Sequence, residues 1–87
     1  MNLEHVILYR AAKAGNKITR RDLMRILWRQ EKDDREAAVQ ALIEKGELTQ
    51  ESVINNKPGR ARQMFFLTFK GANHVRKLVK EGLVDPV

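Results

Sequence analysis

The chain has 87 residues, no cysteine and a formal net charge of +6. A chain this short suits one domain with a modest core, and 43% hydrophobic residues argue against disorder. Without cysteine there are no disulfides, thiolate metal sites or cysteine nucleophiles, while the positive balance attracts polyanions.

The first predicted element is a helix over residues 2–14. Asn2 stands at the N-cap, and Leu3, Val6, Ile7, Ala11 and Ala14 recur at the three-and-four spacing of one buried face. Gly15-Asn16 ends it, since both residues tolerate positive φ. A link through Lys17 and Ile18 leads to a second helix, about 19–29. Thr19 and Asp22 have a capping-box spacing there, and Leu23, Ile26 and Leu27 form the inner stripe. Gln30, Glu31 and Lys32 make a turn. The third helix, about 33–45, is expected to start at Asp33 with Glu36 three residues on; Ala38, Val39 and Leu42 face inward and Gly46 stops it.

Residues 47–68 read as a β-hairpin. Two stretches with β-branched and aromatic residues, 47–54 and 62–68, flank the breaker-rich Asn55-Asn56-Lys57-Pro58-Gly59-Arg60. Thr68 caps a last helix over about 69–81, with Gly71, Ala72, Val75, Leu78 and Val79 on its inner face. The fold class is therefore α+β: three helices, a two-stranded hairpin and a C-terminal helix. No apolar run approaches the roughly 18–20 residues that span a bilayer, and the start Met1-Asn2-Leu3-Glu4 lacks the form of a signal peptide. The expected location is the cytoplasm.

Two stretches resemble the winged helix-turn-helix transcriptional regulators of bacteria and archaea. Residues 38–48, Ala-Val-Gln-Ala-Leu-Ile-Glu-Lys-Gly-Glu-Leu, look like that family's third helix and its exit. Residues 65–71, Phe-Phe-Leu-Thr-Phe-Lys-Gly, are similar to its passage from the second wing strand into the final helix. The resemblance spans about residues 2–81. It implies double-stranded DNA as the partner, with the third helix in the major groove and the wing on the backbone or minor groove.

The charges divide the labour differently. The second helix carries Arg20, Arg21, Arg25 and Arg29 against Asp22, and the wing loop carries Lys57, Arg60 and Arg62 with no acid. The third helix region instead has Glu31, Asp33, Asp34, Glu36 and Glu44 against Lys32, Arg35 and Lys45. Phosphate contacts are thus expected from Thr19, Arg20, Arg21, Arg25, Lys32, Lys57, Arg60 and Arg62. Limited base readout is expected from Arg35, Glu36 and Gln40, as Gln can read adenine and Glu can accept from cytosine N4. Leu8, Tyr9 and Ala12, placed opposite the core stripe of the first helix, together with Leu83 and Val84 are expected to form a homodimer contact. Met24 and Trp28 either cover the edge of the core or offer a partner surface. His5 and His74 lack a metal-ligand spacing, and no nucleophile motif, phosphate-cradling loop or dinucleotide fingerprint is present. No catalysis, metal, cofactor or small-molecule ligand is expected. The alternative function is a winged-helix protein-interaction module.

Overall fold

A computed structural model describes residues 2–53 and 62–86. The elements run α1 (Leu3–Lys13), β1 (Lys17–Thr19), α2 (Arg20–Ile26), α3 (Lys32–Glu44), β2 (Leu48–Val53), β3 (Arg62–Leu67) and α4 (Phe69–Lys80). The architecture is α+β, with four helices and one antiparallel sheet in the order β1-β3-β2 among the described residues. The expected hairpin therefore carries a third strand. Lys17 and Ile18, read from sequence as a link, form with Thr19 a strand that pairs with β3 so that Ile18 lies opposite Phe65. The breaker-rich tip, with Lys57 and Arg60, lies outside the described residues.

Local capping fixes most helix starts. Asn2 accepts from the Glu4 amide at 2.8 Å, Thr19 from the Asp22 amide at 3.1 Å, and Thr68 from the Gly71 amide at 3.1 Å. The third helix departs from expectation. It begins at Lys32 behind Glu31, whose side chain makes no capping bond, so Asp33 lies inside the helix instead of capping it. Asp33 and Asp34 still occupy its first turn, where carboxylates offset the positive end of the helix dipole. α2 stops at Ile26, short of the expected 29.

Strand alternation sorts the sheet into two faces. Ile18, Phe65, Leu67 and Leu48 share the face that packs on the helices, and Phe65 is fully buried. Further from the core the same face turns polar. Gln50 donates to Gln63 at 2.9 Å and Gln63 to Ser52 at 3.0 Å, which holds the hairpin together beyond the last apolar pair.

The core gathers Ile7, Leu8, Ala11, Leu23, Leu27, Val39, Leu42, Leu48, Phe65 and Val75. α1 is its hub, packing on α3, α4 and β3. A helix covered on three sides is buried over a wide arc. Leu8, expected to face outward, is accordingly 0% exposed and is no dimer residue, whereas Ala14, expected inside, is exposed. Met24 packs against the core edge, but Trp28 stays 68% exposed with the Arg29 guanidinium 5.1 Å from its ring centre.

Candidate nucleic-acid interface

The residues expected to touch DNA fall into two groups, set by which side of α2 they occupy. At 100° per residue, Arg20 and Met24 share one side of α2 and Arg21 and Arg25 another. The first side meets α3. Arg20 forms an ion pair and hydrogen bond with Glu36, both side chains remaining about one-third exposed. Arg35 reaches back to donate to the Met24 carbonyl at 3.4 Å, and its buried Nε meets no acceptor among the described residues. Arg20, Arg35 and Glu36 thus tie α2 to α3. Replacing Glu36 with Gln is expected to lower stability by at most about 1 kcal/mol, the ceiling for such an exposed pair. Urea denaturation measures that loss.

With Arg20, Arg35 and Glu36 engaged, the exposed surface of α3 presents Lys32, Asp33, Asp34, Ala37, Gln40 and Glu44. Of the residues expected to read bases, Gln40 alone is free of these contacts and exposed. Phosphates flanking a groove repel the three carboxylates beside it.

The second side of α2 is different. Arg21 and Arg25 are exposed, and Arg25 lines a groove of about 500 Å³ together with Lys17, Thr19, Asp22, Ile26, Ala14 and Met64. The sheet register explains the company. Lys17 lies opposite Phe66 and Thr19 opposite Met64, so Lys17, Phe66, Met64 and Arg62 share the face of the sheet turned away from the core. Lys17 is a cation that charge counting by helix and wing passed over, because it falls in the short strand between α1 and α2.

Two further features escaped the sequence reading. Glu47, directly before β2, is 8% exposed, and its Oε2 lies 2.8 Å from His74 Nδ1 on α4. The His5 ring stands edge-on to His74 with centroids 5.3 Å apart. Close by, Lys45 donates to Glu4 at 2.7 Å. That hydrogen bond, and then the charge of Glu4, raise the Lys45 ammonium above its ordinary pKa. Histidine and carboxylate are 27 residues apart, which is why no spacing signals them. Among the described residues no group of three His, Cys, Asp or Glu side chains is placed to hold a metal ion.

The expected dimer residues are partly brought together. Tyr9, Leu83 and Val84 line one groove with Arg10 and Asp85, while Ala12 lines a neighbouring groove with Val75, Arg76 and Pro86. Leu83 is 52% exposed. Among the described residues no helix is long and apolar enough to cross a membrane. No protein-family model matches the chain, and no curated protein matches it.

Proposed function

We propose that the protein is a winged helix-turn-helix regulator that binds double-stranded DNA chiefly through phosphate contacts and catalyses no reaction. Support for the architecture comes from the element order α1-β1-α2-α3-β2-β3-α4 with β1 beside β3, which resembles that fold. The observation that carries the DNA reading is that Arg25 and Lys17 line one groove, with Arg62 on the same outer sheet face and Arg21 exposed on the same side of α2. Phosphate contacts position a protein without reading sequence. Of the base readers expected on α3, Gln40 alone stays unengaged, beside three carboxylates, so specificity is low.

The test is a gel shift on random-sequence duplex across salt. If roughly four to six phosphates are neutralised, log K falls against log salt with a slope of about −4 to −5. No binding at low salt overturns the reading. The exposed Trp28, stacked with Arg29 at the α2–α3 turn, favours a second reading as a protein-interaction module. Failure of the gel shift would leave that one standing.

The same reading includes a cytoplasmic homodimer through Tyr9, Ala12, Leu83 and Val84. A two-fold contact pairs each groove with its own copy, and Arg10 and Asp85 on that rim offer opposite charges across the axis. Leu83→Asp places a second acid in the contact and is expected to yield monomers. Sedimentation that finds the unsubstituted chain monomeric at high concentration overturns the dimer.

A further inference from the structure

The exposed charges of this protein are arranged unevenly, and that decides where a duplex can lie. The side built from α3 and the start of α1 holds Asp33, Asp34 and Glu44 in the open, with Glu4 paired to Lys45. The outer face of the sheet and the adjoining side of α2 hold Lys17 and Arg25 at the groove lined by Ile26 and Met64, with Arg62 two residues beyond Met64 on the same face. Two acids lie on that side: Asp22, at the groove itself, and Glu51, opposite Met64 on β2. A separate groove on the helix side of the sheet holds Arg76 of α4 with Ala12, Asn16 and Leu67. Arg76 is exposed, as are Lys77 and Lys80 beyond it.

We infer that the sugar–phosphate backbone of the duplex lies across the outer face of the sheet, held by Arg25, Lys17 and Arg62, and that α3 faces away from the DNA. This inference rests on the DNA-binding reading and names its seat. The chemistry of the groove matches a backbone strand. Cations at the groove meet phosphates, while the exposed Ile26 and partly buried Met64 that line it meet the apolar face of deoxyribose. The acidic α3 then sits where phosphates do not approach, which removes the repulsion that a groove-inserted α3 would suffer.

The absence of native cysteine makes the seat measurable. Single variants Lys17→Cys and Arg62→Cys on the outer sheet face, and Asp34→Cys and Gln40→Cys on α3, each carry a thiol-linked photocrosslinker. All are irradiated with the same labelled random duplex at low salt, with complex formation followed by gel shift. Crosslinks from positions 17 and 62 that exceed those from 34 and 40 several-fold are expected. Crosslinks from the α3 positions equal to or above those from the sheet overturn the seat. So does a shifted complex with no crosslink from the sheet. Absence of any shifted complex for the unsubstituted chain is the separate failure of the DNA-binding reading itself.

Discussion

Gly71→Ala is expected to lower stability by about 3 kcal/mol or more, although alanine is the better helix former by up to about 1 kcal/mol. The reason is the crowding where α3, β2 and α4 meet. A Cβ on Gly71 would lie 2.2 Å from the Glu47 carbonyl oxygen and 2.7 Å from Leu67 Cδ1. The carbonyl cannot swing aside, because it accepts the Thr68 amide at 3.2 Å. Thr68 in turn donates to the Gly46 carbonyl at 2.7 Å and caps α4, and Lys70 donates to the Lys45 carbonyl at 2.9 Å. Overpacking typically costs about 1–3 kcal/mol where side chains can yield, and here backbone must move. Against a net stability of about 5–15 kcal/mol, such a loss lowers the midpoint of thermal unfolding by more than about 12 °C. Gly46→Ala supplies the contrast. Gly46 has φ +74° with nothing near its missing Cβ, so its cost is the left-handed backbone penalty of about 1–2 kcal/mol. Thermal and urea unfolding of the two variants decide the matter, and a Gly71→Ala protein no less stable than Gly46→Ala contradicts it.

That junction also marks the reach of sequence reasoning. The caps Asn2, Thr19 and Thr68 were legible because a cap acts over three residues of chain, and each forms the expected bond. Asp33 failed as a cap because Glu31, Asp33 and Asp34 all suit the start of a helix, and which turn forms first depends on how α2 ends. Strand β1 was hidden because three residues cannot establish an alternation; it exists because β3 offers a free edge and Ile18 meets Phe65. Leu8 was misplaced because periodicity assumes one covered face, whereas α1 is covered by α3, α4 and β3 together. The candidate interface divided for the same cause. The count of arginines on α2 was readable, but the pairing of Arg20 with Glu36 across sixteen residues was not. Nor was the company that Arg25 keeps with Lys17 and Met64.

The separation of Arg21 and Arg25 from the acidic surface of α3 leads to a second large expected effect. The double variant Arg21→Ala/Arg25→Ala is expected to bind duplex DNA far more weakly than the unsubstituted chain, with a flatter salt dependence. Each phosphate contact adds about 0.9 to the slope of log K against log salt, so two lost contacts flatten it by about 2 units. At 0.1 M salt the same relation makes each contact worth on the order of tenfold, and the double variant loses on the order of a hundredfold. Both residues are exposed and engaged in no hydrogen bond or ion pair among the described residues, so the fold should tolerate their removal. The partner experiment neutralises Asp33→Asn/Asp34→Asn. These acids stabilise the first turn of α3 by about 0.3–1 kcal/mol each, so unfolding is measured alongside binding. If the backbone lies on the sheet side and farther from them than the screening length of about 10 Å at 0.1 M salt, affinity changes by less than about twofold. If α3 enters the groove, relief of repulsion raises affinity for every sequence. A many-fold gain from the aspartate pair, with the arginine pair binding like the unsubstituted chain, would assign the duplex to α3 and remove the phosphate-holding role from the outer side of α2.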